Sequence, residues 1–244
     1  MIKIIIHITK FVIATVTALL FASCNFNMNS IEGSGNVTTE KRTVQGDFKN
    51  VSVSNAIDLV IEQSDVTEVT VEADDNLQKE IVTKVENGTL VISCKYSSFR
   101  NITMKKVTVK MPVIDKIEAS SASSVQSKNV IEGENITLES SSAASMQVAI
   151  ESDKISVDSG SGSSVTLEGK ALSLSTSASS GGSIEADKLA ANEVEAQASS
   201  GGTINVNSIV TLKAKASSGG NVNYTGTPKT VEKEASSGGN ISKS

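Results

Sequence analysis

Short apolar segments alternate with polar residues along most of the chain after residue 48. Between Phe48 and Met111, β-branched residues recur at every second position, as in Val69-Thr70-Val71-Glu72-Ala73. A period of two predicts strands that bury one face. Asn87-Gly88 separates two such segments and predicts a hairpin with a type I′ turn, because both central residues of that turn need a positive φ. Residues 75–80 predict at most a single helical turn.

From about Ile114 the pattern repeats with a period near twenty residues. The segment from Ala178 to Ile184, Ala-Ser-Ser-Gly-Gly-Ser-Ile, returns almost unchanged at 198–204, 216–222 and 235–241. The apolar residue that closes each copy, including degenerate earlier ones, falls at positions 125, 146, 165, 184, 204, 222 and 241, which are 18 to 21 residues apart. Such a period, rich in Ser, Gly, Val and Ile, predicts an all-β solenoid in which each repeat is one coil. Parallel coils about 4.8 Å apart then form ladders of inward aliphatic side chains.

The first residues of the chain predict an export signal. Lys3 and Lys10 precede an apolar segment at 11–21, which is shorter than the roughly 20 residues that span a bilayer. Small residues follow this segment, as they do at a cleavage site. We therefore predict a signal peptide at 1–23.

Cys24 is the predicted lipidation site. The Leu-Phe-Ala-Ser-Cys sequence that ends at Cys24 resembles a bacterial lipobox, with Phe21 in place of the usual Leu. The polar residues 24–34 predict a tether between a lipid anchor on the membrane and the folded domain. An ordinary signal peptide with an incidental cysteine is the alternative interpretation.

The rest of the chain, 35–244, predicts one domain. Its first part, 35–112, is expected to form strands and hairpins, and its second part, 113–244, the Ser/Gly-rich coils. If Cys24 carries lipid, Cys94 has no disulfide partner. Because Cys94 ends a predicted strand, packing is favoured over a role as a reactive thiol.

The charge and aromatic content exclude several classes of partner. Removal of 1–23 leaves 20 basic and 27 acidic residues and no histidine, since His7 is the only one in the chain. A mildly acidic domain without a basic patch disfavours nucleic acid as a partner. Aromatic residues are scarce, which disfavours aromatic cages for sugars or quaternary amines. No cofactor is expected.

Several segments together resemble a known family, the one described as putative auto-transporter adhesin, head GIN domain. They are residues 33–37, 48–63, 69–77 and 85–90, followed by the Ser-Gly coils. The resemblance implies an exported, often lipid-anchored, right-handed parallel β-helix of Gram-negative bacteria, here expected at the outer membrane. It implies no catalytic residues.

The serines of the repeat are the candidate surface site. A serine nucleophile needs a neighbouring base and oxyanion donors, and the mature chain has no histidine to supply the base. We therefore expect hydrogen-bonded corner ladders. The exposed Ser, Thr and Asn side chains either bind a repeating polymer such as a glycan, each coil offering the same group, or bind nothing. The candidate residues are Ser179, Ser180, Ser199, Ser200, Ser217, Ser218, Ser236 and Ser237.

An enzyme that acts on polysaccharides is a less favoured alternative. Such enzymes gather carboxylates on one exposed face, as acid and base pairs or as calcium ligands. The acidic residues of the coils are interpreted as scattered rather than repeated at one coil position; examples are Asp153, Asp158, Glu168, Glu185 and Asp187. We predict no enzymatic activity and no metal site.

These observations favour a non-catalytic scaffold of the cell envelope, an adhesin or glycan-binding protein. A structural or assembly protein that acts through an open sheet edge is the alternative. The last copy of the repeat, 235–241, leads to the hypothesis that this end of the stack mediates weak self-association or docking to another envelope protein. The competing interpretation is that Lys233, Glu234 and Lys243 blunt the edge by charge.

Overall fold

The computed structural model describes residues 29–244 together with Lys10. Strands make up 65% of the chain and helix 2%, so the predicted all-β class is confirmed. No helix in this part is long and apolar enough to cross a membrane. The predicted signal peptide, Cys24 and the first residues of the predicted tether lie outside the described residues, apart from Lys10.

The elements of residues 29–244 are numbered in chain order. The single short helix, α1, is Asp75–Gln78. The strands are β1 Ser30–Glu32, β2 Val37–Arg42, β3 Asn50–Val53, β4 Asp58–Gln63, β5 Glu68–Asp74, β6 Ile81–Glu86, β7 Thr89–Cys94, β8 Ser98–Arg100, β9 Lys105–Met111, β10 Lys116–Ala119, β11 Ser124–Ser127, β12 Ile131–Ser140, β13 Ser145–Ser159, β14 Ser164–Ala178, β15 Ser183–Ala198, β16 Thr203–Ala216, β17 Asn221–Thr225, β18 Thr230–Ala235 and β19 Asn240–Lys243. Strands β13 to β16 are long because each one continues around a bend of its coil.

Two parallel ladders of strands form a solenoid. In the first ladder β3, β10 and β12 stack, with Val51 beside Ile117. In the second ladder β4, β11 and β13 stack, with Leu59 beside Val125. Strands β13 to β19 continue both ladders in parallel register. The stack has about seven turns, so the predicted β-solenoid is confirmed.

The apolar residues that close the repeats point into the solenoid. Their polar neighbours on both sides, such as Ser164 and Thr166, are exposed, as expected for a strand with one buried face. A narrow coil has room for few inward side chains, and β-branched residues lose little freedom in extended backbone. The buried residues of this ladder are Val125, Met146, Val165, Ile184, Ile204 and Val222.

The solenoid begins earlier than the sequence predicts. Strands β3 and β4 already form a coil, because they pair in parallel with β10 and β11. On the other side of this coil lie β7 and β9. One coil therefore precedes the Ser/Gly-rich coils predicted at 113–244 and lies in the part predicted to form strands and hairpins. After this first coil, residues 64–111 pack on its N-terminal side. The chain then passes to the other side of the first coil, where the next coil begins at residue 116.

Residues 64–111, together with β2, close the N-terminal end of the stack. Antiparallel strands β2, β5 and β9 extend one ladder, and the antiparallel hairpin β6–β7 extends the other. The predicted hairpin turn is confirmed, because Asn87 and Gly88 both have positive φ, at 50° and 75°. The predicted single helical turn is also present, as α1, and its Leu77 is fully buried in the core.

The predicted tether is partly incorporated into the fold. Ser30–Glu32 form β1, which pairs in parallel with β8. The side chain of Asn101 donates a hydrogen bond to Glu32 at 2.9 Å and fastens the same segment. The ordered domain therefore starts before residue 35, because the backbone of β8 offers an edge with which a polar segment can pair.

Candidate ligand-binding groove

Each coil passes from one ladder to the other through a corner of four residues, such as Ser179 to Gly182. Ser179 N–H donates to Ser159 O at 3.0 Å, and Gly181 N–H donates to Ser200 O at 3.2 Å, so the corner is tied to the coils on both sides. Ser180 and Gly181 have φ of 50° and 73°. Gly181 supplies a backbone conformation that L residues rarely adopt.

The second glycine of the corner has a different role. Gly182 does not have a positive φ, but a Cβ on it would overlap the carbonyl of Ser159 in the preceding coil. Gly202 lies in the same way against Ala178 in its preceding coil. The Gly-Gly pair therefore combines one residue chosen for conformation with one chosen for space.

The eight candidate serines form two columns rather than one ladder. Ser179, Ser199 and Ser217 are half-buried beside the strands, and Ser236 continues this column in the last coil. The residues that follow them, Ser180, Ser200, Ser218 and Ser237, are exposed on the crest of the corner, with φ between 47° and 50°. Within residues 29–244, none of the eight hydroxyl groups makes a hydrogen bond; the backbone carries the corner ladder instead. Backbone groups therefore make the hydrogen-bonded corner ladder, and these hydroxyls face solvent or a ligand.

The first serine column borders a groove that runs along the stack. Two cavities of about 500 and 340 Å³ lie end to end and share Ser177. We call them together the corner groove. Its walls are the corner serines on one side and the outward residues of the adjoining strands on the other: Ser52, Glu118, Ser120, Glu139, Ser141, Asp158, Ser177, Ser179, Gln197, Ser199, Lys215, Ser217, Glu234 and Ser236.

Carboxylates line the N-terminal half of the corner groove. Glu118 pairs in register with Glu139, and Glu139 pairs with Asp158. Lys116 Nζ lies 2.5 Å from Glu118 and 2.9 Å from Glu139. Its hydrogen bond lowers the pKa of the Glu118 carboxyl, against the opposing effect of burial. The interpretation of the acidic residues as scattered is wrong for this position, because three successive coils carry a carboxylate there.

The C-terminal half of the corner groove is mixed in charge. Gln197, Lys215 and Glu234 occupy the equivalent position in the later coils. Lys215 Nζ lies 3.2 Å from Glu234. Both halves therefore offer polar groups at the same coil position, coil after coil.

A family model described as putative auto-transporter adhesin, head GIN domain, matches residues 47–228. The chain belongs to this family. The match covers the first coil, strands β5 to β9 at the N-terminal end and the corner groove up to the last coil.

Solved structures share the fold over almost the whole chain. A putative adhesin from Bacteroides fragilis has a TM-score of 0.81 and 24% sequence identity, covering 88% of this chain and 100% of its own. A putative adhesin from Parabacteroides distasonis has a TM-score of 0.72 and 25% identity, with the same coverage. A putative lipid binding protein from that species has a TM-score of 0.68 and 21% identity, again with 88% and 100% coverage. Among curated proteins, none matches the chain.

A second polar column lies on the other ladder, and sequence reasoning missed it. Asn205 Nδ2 donates to Glu185 at 2.5 Å, Asn223 Nδ2 donates to Asn205 Oδ1 at 2.8 Å, and Ser242 Oγ donates to Asn223 Oδ1 at 2.6 Å. These positions are 20, 18 and 19 residues apart, which is the period of the coils. Their side chains bond to one another along the stack, so the column stabilises the solenoid.

Lys105 and Cys94 form the other notable cluster, at the N-terminal end. Lys105 Nζ donates to Asn55 O at 2.8 Å and lies 3.1 Å from the centroid of the Phe99 ring. In the later coils, the carbonyl at this corner position accepts a hydrogen bond from a backbone N–H of the preceding coil, as Ser121 O does from Ala56 N–H. Lys105 Nζ takes the place of that N–H at the end of the stack. Burial lowers the pKa of Lys105 to about 8. Cys94 is only 7% exposed, and its N–H donates to Asn55 Oδ1 at 3.3 Å, in agreement with the predicted packing role.

Proposed function

We propose that the protein is a non-catalytic adhesin of the cell envelope that binds an extended, hydroxyl-rich polymer such as a glycan along the corner groove. The observation that carries this proposal is the groove itself, which follows the axis of the stack and offers equivalent polar groups in successive coils. A repeating polymer meets the same donors and acceptors at each step of about 4.8 Å.

The chemistry of the groove supports binding rather than catalysis. Carboxylates, hydroxyls and an amide side chain are the groups that hydrogen-bond to polyols. A general acid for glycoside cleavage needs a raised pKa, whereas the pKa of Glu118 is lowered by Lys116. Residues 29–244 also contain no cluster of three or more His, Cys, Asp or Glu side chains suited to a metal ion.

Removal of the groove hydroxyls tests this proposal. We expect the triple variant Ser179→Ala, Ser199→Ala and Ser217→Ala to lose at least about tenfold in affinity for a glycan that the unmodified protein retains on a glycan array, since several hydrogen bonds of about 1 kcal/mol each are removed. Solution titration of the selected glycan gives the affinities.

The crest serines provide the matched control. The triple variant Ser180→Gly, Ser200→Gly and Ser218→Gly removes three hydroxyls from residues whose positive φ suits glycine. It should bind like the unmodified protein. If no glycan is retained, or if both triple variants bind equally tightly, the groove is not the binding site.

Attachment to the outer membrane through lipid on Cys24 belongs to the same proposal. Its support is the basic and apolar segment that ends in a lipobox-like sequence. In Cys24→Ala we expect the chain to remain unprocessed or to leave the membrane fraction, as determined by fractionation and mass spectrometry. A variant that stays with the membranes after an alkaline wash, at unchanged mass, would argue against the anchor.

A further inference from the structure

The last coil presents an unpaired edge within the described chain. Strand β18 pairs only with β16, and β19 only with β17. All six residues of β18 are exposed. A strand with a single neighbour leaves half of its backbone N–H and C=O groups without partners, so β18 can accept another extended chain.

The side chains of β18 give this edge a charge pattern. Lys233 follows Ala214 in the inward column, and its Nζ lies 4.6 Å from the centroid of the Tyr224 ring. Glu232 and Glu234 point outward on either side of it, beside Lys213 and Lys215 of the preceding coil. The charge at an outward position therefore alternates from one coil to the next. One such position is occupied by Glu195, Lys213 and Glu232 in successive coils.

We propose that β18 is a docking edge for an extended protein segment with a basic, an acidic and a basic residue at successive positions. The two basic residues lie opposite Glu232 and Glu234, and the acidic residue lies opposite Lys233. Val231 is 40% exposed and favours an apolar neighbour. Directly opposed side chains on neighbouring strands interact most strongly, so this pattern decides which segment binds.

A second copy of the same edge fits poorly. When two β18 strands pair antiparallel with their inward faces on one side and Lys233 opposite Lys233, Glu232 and Glu234 also fall opposite glutamates of the other copy. A shift by two residues places Lys233 opposite an apolar residue, but one glutamate still falls opposite the same glutamate of the other copy. Like charges directly opposite each other are destabilising in a sheet. The charge complementarity therefore favours a different chain over self-association through this edge.

Two peptides with the same apolar residues test the proposal against the full-length protein. The complementary peptide is Thr-Val-Lys-Glu-Lys-Val-Thr, and its symmetric sequence can pair in either strand direction. The reversed peptide, Thr-Val-Glu-Lys-Glu-Val-Thr, carries the opposite charge at each of the three central positions. We expect the fluorescently labelled complementary peptide to bind at least tenfold more tightly at low ionic strength, as measured by anisotropy. The difference should shrink in 0.5 M salt, because exposed charges are screened. A photo-crosslinking version should label residues 230–235.

Variants of the protein separate this edge from the corner groove. The double variant Glu232→Lys and Lys233→Glu, which leaves the groove residue Glu234 unchanged, should lose the preference for the complementary peptide, whereas Glu168→Lys, at an exposed site on a central coil, should not change the preference. The groove variant with three Ser→Ala changes should also bind the peptides normally, so a failure of glycan binding leaves this result intact. Equal binding of both peptides, or crosslinks outside residues 230–235, would overturn the proposal.

Discussion

Gly182→Ala should lower the free energy of unfolding by about 3 kcal/mol, the upper part of the range for overpacking. The new Cβ would overlap the carbonyl group of Ser159 in the preceding coil. That carbonyl accepts the hydrogen bond from Ser179 N–H, so the corner ladder must shift locally to admit the new Cβ. Ala144 and Ser163 carry a Cβ at the equivalent position of earlier coils, so the cost depends on the spacing between the coils at Gly182 itself. Urea unfolding followed by circular dichroism measures the difference, provided that the slope of the transition is unchanged.

Gly181→Ala is the matched control for this prediction. The adjacent glycine has a positive φ, but no atom lies within 4 Å of the place that its Cβ would take, so alanine meets only backbone strain of about 1 kcal/mol. Ala122 and Ala143 already occupy the equivalent corner position in earlier coils, with φ of 59° and 61°. If the two substitutions cost the same, close approach between coils is not the reason for the second glycine.

The repeat in the sequence predicts the coils well because neighbours in the stack are also neighbours in the chain. From residue 116 onward each strand pairs with the strand about 19 residues later, so inward positions recur with the period of the coil. The first coil breaks this rule. Val51 pairs with Ile117 on one side and with Leu90 on the other, and neither separation is one period. Periodicity alone therefore misses this coil.

The candidate site was only partly predictable for a different reason. Spacing in the sequence determines which position a residue has in the coil, but a groove depends on which positions face each other across a corner. The carboxylate column was accessible from spacing, since the steps from Glu118 to Glu139 and Asp158, 21 and 19 residues, equal those from Val125 to Met146 and Val165. The sequence does not predict that the corner hydroxyls make no hydrogen bonds, because hydrogen bonding depends on the distances between side chains in adjacent coils.

Ile184→Ala should lower the free energy of unfolding by about 2 to 4 kcal/mol, which is the cost of lost burial plus a cavity. Ile184 is fully buried and stacks between Val165 and Ile204 in register. Hydrogen bonds between the coils hold their spacing, so the neighbours cannot close the cavity by moving together. In a solenoid, stability is a sum of coil and interface contributions, and this substitution weakens the interfaces on both sides of its coil.

Two further substitutions, measured in the same way, test whether the loss of stability depends on how deeply the residue is buried. Ile241→Ala removes the same atoms from the same column, but Ile241 is only half-buried and has a single neighbour in the column, Val222, so it should cost clearly less than Ile184→Ala. Ser179→Ala changes the corner and should cost less than about 1 kcal/mol. Equal losses for Ile184 and Ile241 would show that stability does not depend on stacking from both sides, and an Ile184 effect as small as that of Ser179 would contradict the inward ladder itself.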